Sequence, residues 1–234
     1  MTPAQAPRQA QHIHRLDPNY PARLNDLYDP PEILYIYGNI ELLKRPMIAV
    51  VGSRIASPRG MRNAALFARG LSEAGVLVLS GLARGIDGVA HRTCLEPGAN
   101  WTTIAVCGTG VDVVYPREHK DLAHQIGSQG LILSEFPPGT GPKAFHFPKR
   151  NHLIAALSLG VVVIEAADKS GSLITARLAT DLGREVFALP GPIHDPLYEG
   201  CHRLIQEGAK LVCHPKEVLD ELVIPTKTLF KASE

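Results

Sequence analysis

The sequence predicts an open, doubly wound α/β fold, with a mostly parallel sheet and helices on both faces. Three observations predict it. From Ile48 onward, short apolar runs alternate with helix-like segments. Most of those runs are apolar throughout instead of alternating, the pattern of strands buried on both faces. Several end in small or polar residues, as strands do where they turn into helices at one edge of such a sheet.

The strand runs are "MIAVVG", "VLVLSG", "TIAVCG", "LILSEF", "GVVVIEA", "REVFALPG" and "KLVC". A short earlier candidate, "ILYIYG", follows two proline-marked breaks, "DPNYP" and "DPPE". Helices are expected near 58–74, 86–96, 117–127, 150–159, 172–182, 199–207 and 215–222. The first has the clearest boundaries: Ser57 as N-cap, Pro58 at the first helical position and Gly75 just past the end. Residues 1–15, polar and rich in Gln, Ala and Pro, are expected to trail from the domain. The domain itself is expected over 16–222 and a C-terminal tail over 223–234.

Composition sets outer limits. A chain of 234 residues with 45% hydrophobic and 20% charged residues suits one large soluble domain. The net charge of +1 provides no global field to attract nucleic acid or membrane, so an electrostatic partner must be met by a local patch. The four cysteines, Cys94, Cys107, Cys201 and Cys213, are far apart with no C-x-x-C, which predicts buried free thiols in a reducing, cytoplasmic setting. There is no secretory h-region and no apolar run of ~18 residues or more, so no membrane span is expected.

The polar residues at the strand ends point to an anion. In open α/β sheets ligands bind beyond the carboxyl ends of the strands. Five turns fall there: Gly52-Ser53-Arg54; Ser80-Gly81 with Arg84; Gly108-Thr109-Gly110; Ser134-Glu135; and Glu165 followed by Ser170-Gly171-Ser172. Glycines admit a ligand to the backbone, helix N-termini offer N–H groups, and Arg54 can grip a phosphate with two donors. Turn geometry alone explains any single one of these; five on one rim favour a phosphate.

A second feature is "PPGTGPKAFHFPKRNHLIAALS", residues 137–158. No acidic residue occurs from Phe136 to Ile164, whereas Lys143, Lys149 and Arg150 do, interleaved with Phe145 and Phe147. Cations that hold phosphates beside rings that stack on bases suit single-stranded nucleic acid. Arg150-Asn151, at the start of an apolar helix, can reach the same rim. Catalytic and metal-binding patterns are thin. There is no G-x-S-x-G or H-E-x-x-H, and none of the ten histidines has a metal-site spacing. Asp87 and Glu165 could in principle serve as bases; orienting a loop for Asp87, and capping or hydrogen-bonding the next turn for Glu165, are the simpler roles.

In order and spacing, "VVGSR", "SPRG", "SGLARGIDGVAH", "GTGVDVVYP", "SEFPPGTGPKAFHFPKRNHLIAALS", "VVVIEAADKSGSLITARLA" and "GREVFALPGP" resemble the DNA-processing protein A (DprA/Smf) family. The likeness covers about residues 16–222. It implies an extended Rossmann-like domain that binds and protects single-stranded DNA, helps load the recombinase RecA in natural transformation, and has neither catalytic activity nor cofactor. It places a phosphate grip at Gly52, Ser53 and Arg54, a stacking ring at Phe147, and further contacts at Lys143, Arg150, Asn151, Ser170, Gly171 and Ser172. Arg84 and Lys149 join the site from the residue pattern. The resemblance also implies a homodimer through "GCHRLIQEGAKLV", with His202, Ile205 and Leu211 at the interface; core packing is the alternative for Ile205 and Leu211. His152 stands where the family typically has Arg. No winged-helix-like domain is expected in this chain.

Two other readings stay open. One is a nucleotide-processing hydrolase of the nucleoside monophosphate phosphoribohydrolase type on a related fold, although such enzymes typically carry P-G-G-x-G-T where this chain has "ADKSGSLITA". The other is an interaction module whose rim binds nothing.

Overall fold

A computed structural model describes residues 10–222. Residues 1–9 and the expected tail, 223–234, lie outside the described residues. The strands are β1 (Gln11–His14), β2 (Ile33–Gly38), β3 (Met47–Val51), β4 (Leu77–Ser80), β5 (Thr103–Val106), β6 (Leu131–Ser134), β7 (Gly160–Val163), β8 (Glu185–Ala188) and β9 (Lys210–Leu211). They form one sheet in the order β1-β2-β6-β5-β4-β3-β7-β8-β9. All pairings from β6 through β9 are parallel; β2 joins β6, and β1 joins β2, antiparallel. The expected doubly wound sheet is therefore observed, with an antiparallel extension on one edge.

The apolar runs explain the layering. Side chains alternate across a strand, so Met47, Ala49 and Val51 enter one core while Ile48 and Val50 enter the other. The helices are α1 (Pro58–Glu73), α2 (Ile86–Cys94), α3 (Lys120–Gln129), α4 (His146–Leu157), α5 (Gly171–Asp181), α6 (Glu199–Gln206) and α7 (Pro215–Glu221). Helices α1, α2, α3 and α7 cover the Ile48 face; α4, α5 and α6 cover the Met47 face. The chain runs β3, β4, β5, β6 outward, then crosses back to place β7 on the other side of β3. The strand order reverses between β3 and β7, where ligands settle in folds of this kind.

Three expectations are corrected. Residues 11–14 do not trail: they form the edge strand β1, anchored by Ile13, which is 2% exposed. One apolar residue among polar neighbours leaves no run to read, although pairing with β2 and burial of that one side chain order the segment. Helix α4 begins at His146, not near 150, because Pro148 falls in the first turn, where a missing N–H has no intrahelical partner to lose. Phe147 therefore sits on a helix and not in a loop. Finally, Cys94, Cys107 and Cys201 are buried and free, but Cys213 is exposed, since β9 ends two residues earlier at the sheet edge. No described helix is long and apolar enough to cross a membrane.

The start of α1 is locked to the end of β7. Ser57 caps the helix, its Oγ accepting from the Gly60 amide at 3.0 Å and donating to Glu165 Oε2 at 2.5 Å. The Ser57 amide donates to Glu165 Oε1 at 2.9 Å. Glu165 is fully buried, and a side chain at Gly60 would collide with its carboxylate. Ser57→Ala removes a cap, worth ~1 kcal/mol, and a hydrogen bond to a charged group, worth ~1.5–3 kcal/mol. A loss of about 2–3 kcal/mol in urea unfolding is expected, and a change below about 0.5 kcal/mol, the level of an ordinary surface substitution, would refute the lock.

Candidate nucleic-acid interface

The β3–α1 turn is held from three sides. The Ser53 amide donates to Glu165 O at 2.7 Å, the Ile55 amide to Ser53 Oγ at 3.1 Å, and the Ile86 amide to Ser53 O at 3.1 Å. Gly85 has φ +68°, and a side chain there would run into Ser53 O. The turn was expected to offer exposed amides to a phosphate. Those of Ser53 and Ile55 are engaged within the chain, while the Arg54 side chain beside them is exposed. Its guanidinium lies 5.6 Å from the centroid of the Phe147 ring.

Arg150 is buried, 4% exposed. Its Nη1 donates to Gly81 O and, at 2.7 Å, to Val106 O, and its Nε donates to Asn151 Oδ1 at 3.0 Å. This guanidinium thus ties the carboxyl ends of β4 and β5 to the first turns of α4. Asp87 is buried nearby, with Oδ2 accepting from the Gly81 and Ala83 amides at 3.1 and 3.3 Å. Burial pushes the Asp87 carboxyl up, while the Arg150 charge and the two amides pull it down; burial likewise lowers Arg150, which Asp87 supports. Arg150 and Asn151 were expected to reach the rim; both line the inner hollow there, with the Arg150 Nε and Nη1 engaged within the chain.

Two hollows of about 560 Å³ each adjoin along the rim and share Arg54, Asn151 and Gly171. The inner one lies at the β3/β7 reversal and is lined by Gly52, Ser53, Arg150, Lys169, Ser170 and Ser172 among others. The outer one is lined by Tyr115, Lys143, Phe147 and Ile174 with the shared residues. Ser170 caps α5, its Oγ accepting from the Ser172 amide at 3.4 Å and lying 2.7 Å from Ser172 Oγ. Gly171 is exposed with open space where a side chain would stand, and its carbonyl accepts from Asn151 Nδ2 at 3.4 Å.

Not every expected residue joins this groove as a free contact. Arg84, exposed and lining a third hollow, pairs with Glu118, whose carboxyl that hydrogen bond holds down at about 2. Lys149 pairs with Glu135 at 2.8 Å; the acid-free stretch begins one residue after this carboxylate. Lys143 remains exposed, its Nζ 5.9 Å from the Phe145 ring centroid. The Ser80, Thr109 and Ser134 hydroxyls bond to Val50 O, Val113 O and Thr109 O, shaping turns instead of facing the rim. Both candidate bases, Glu165 and Asp87, are engaged by donors of their own chain. Of the interface candidates, His202 Nε2 lies 3.1 Å from Gly191 O, Ile205 is half-buried against the core, and Leu211, 48% exposed, lies on the edge strand. Tyr115, Lys169 and Ile174 line the groove without having been picked out from the sequence. Only "VVYP" hinted at the tyrosine, as an aromatic just beyond a glycine-rich turn.

Fold and rim together define a doubly wound α/β protein with a basic, aromatic-lined groove at the carboxyl edge of its sheet. Residues 11–223 match the family model for DNA recombination-mediator protein A, and the chain belongs to this family, that of the DprA and Smf proteins. It is 51% identical over 206 residues to DNA processing protein DprA of Streptococcus pneumoniae, covering 88% of this chain and 72% of that one. An X-ray structure of DNA processing protein A from the same species matches with a TM-score of 0.87 at 49% identity, over 92% of this chain and 75% of that one. Protein Smf of Escherichia coli is 49% identical over 204 residues, 87% of this chain and 54% of that one. The DNA processing protein A of Helicobacter pylori, whose structure is described as showing a single-stranded DNA binding mode, matches with a TM-score of 0.82 at 30% identity, over 92% of this chain and 95% of that one.

Arg54 and Arg150 should separate cleanly in stability. Arg150→Ala removes the buried hydrogen bonds of a charged donor to Gly81 O, Val106 O and Asn151 Oδ1, a loss of ~3 kcal/mol or more at ~1.5–3 kcal/mol for each such bond. Arg54→Ala, at an exposed position, should stay within about 0.5 kcal/mol of the parent. Urea titrations of the two variants side by side decide it; equal stability would contradict the structural role given to Arg150.

Proposed function

We propose that this protein binds single-stranded DNA along the carboxyl-edge groove and serves DNA processing in transformation and recombination. The observation that carries the reading is the continuity of the two hollows through Arg54, Asn151 and Gly171, which sets an exposed cation beside the Phe147 ring. A strand threaded there meets Arg54 and Lys143 at its phosphates, and Phe147 at a base. Ser170, Gly171 and Ser172, at the start of α5, supply hydroxyls and a helix N-terminus to the same backbone. Duplex bases are paired and stacked, and are not free to meet the ring. The description of the Helicobacter pylori relative as a single-stranded DNA binder supports the same reading.

The family's description as a recombination mediator supports a recombinase such as RecA as the protein partner, with protection of the bound strand until transfer. Faster assembly of that recombinase on strand already bound by this protein is the readout for that part. A homodimer is proposed through the β9 edge, where Leu211 is exposed and β9 pairs only with β8 among the described strands. Leu211→Arg should shift sedimentation toward a slower species; an unchanged profile would remove β9 from the interface.

The central test is fluorescence anisotropy with a labelled oligothymidylate and a matching duplex over a salt series. Single strands should bind tighter, with log–log slopes of about −0.7 per neutralised phosphate. Arg54→Ala should weaken binding and flatten the slope by about one such increment. Glu118→Gln should act in the opposite sense, because it releases Arg84 from the carboxylate it pairs with. No binding by folded parent protein at low salt would end the DNA reading.

A further inference from the structure

The geometry points to Tyr115 as a second base-stacking residue, which with Phe147 forms a two-ring wall of a slot for one unstacked nucleobase. This rests on the DNA-binding reading above and adds a residue to it. The Tyr115 and Phe147 rings lie 5.4 Å apart between centroids and are tilted by 38°, a contiguous aromatic surface. Tyr115 is 44% exposed. No hydrogen bond of its hydroxyl is made within the described residues, so the hydroxyl does not account for the ring's position.

The hollow beside these rings has the right size and lining. It measures about 560 Å³, and Ile174, 41% exposed, adds an aliphatic surface to it. Arg54 and Lys143 line the same hollow, so cations stand where the sugar-phosphate of a bound base would leave it. The hollow adjoining Tyr115 on the Arg84 side holds only about 40 Å³, too little for a base. Tyr115 therefore stands between a space that admits a base and one that does not. It marks the limit of the slot, and so selects for a strand whose base can leave its stack.

The test uses Tyr115→Ala, Tyr115→Leu and Tyr115→Phe with labelled oligothymidylate, at a temperature where circular dichroism shows all three folded. Loss of base–aromatic stacking should weaken binding about tenfold for both Ala and Leu, while Phe stays within about twofold of the parent. The salt slope should not change, because no phosphate contact is lost. Tyr115→Trp adds a spectroscopic readout, in which DNA should quench the new indole emission. Binding by Tyr115→Ala equal to the parent, or full rescue by Leu, overturns the proposal. Arg54→Ala, run alongside, separates the two levels. If Arg54→Ala weakens binding and Tyr115→Ala does not, only the slot is wrong. If the parent itself binds no strand, the DNA reading fails and the slot goes with it.

Discussion

One buried guanidinium holds the rim together. Arg150 bonds to the carbonyls that close β4 and β5 and to Asn151 beside it, and the buried Asp87 gathers the amides of Gly81 and Ala83 in the β4–α2 turn. A bare arginine at this depth would be costly, and so would a bare aspartate. With its Nε and Nη1 aimed at an amide oxygen and two carbonyls, Arg150 fixes the start of α4 against the carboxyl edge of the sheet. Everything α4 contributes follows from that anchor: Phe147 one turn before it, Lys149 beside it and Asn151 behind it.

A second buried carboxylate does the same for the other half of the groove. Glu165 reaches from the end of β7 to cap the first turn of α1 through Ser57, and its carbonyl accepts from the Ser53 amide. The glycines beside it are consequences: Gly60 leaves room for the carboxylate, and Gly85 lets the α2 turn close on Ser53. Residues that read as a catalytic base and a phosphate grip thus turn out to be parts of one brace. The brace presents Arg54 at a fixed place, and a preorganised cation loses less freedom when a phosphate arrives.

The fold was legible because the central strands are apolar throughout, from "MIAVVG" to "REVFALPG", and that pattern has few other meanings. The antiparallel edge was not, since β1 rests on one buried isoleucine between exposed histidines. In the site, Arg54 was readable from its glycine turn and the acid-free run from its cations and two rings, while the choice of Lys143 and Phe147 within that run came from the family resemblance. Pairing was not: the Lys149–Glu135 and Arg84–Glu118 contacts depend on which loops meet, and no sequence spacing encodes a pair 34 residues apart. Tyr115 escaped notice for the same reason, as it reaches Phe147 only when the β5–α3 loop folds over the first turn of α4.

The pairings also explain how a chain of net charge +1 can offer a cationic groove. Two of the rim's cations are matched by Glu118 and Glu135, so the surplus positive charge is confined to Arg54, Lys143 and Lys169 around the two hollows. At physiological ionic strength fields fade over ~8 Å, so distant charges neither help nor hinder and the local arrangement decides. Such a surface attracts polyanions weakly from afar and holds a phosphate only once it is in place. Discrimination then falls to the rings, because cations meet the phosphates of single strands and duplexes alike, whereas stacking requires a base that has left its partner.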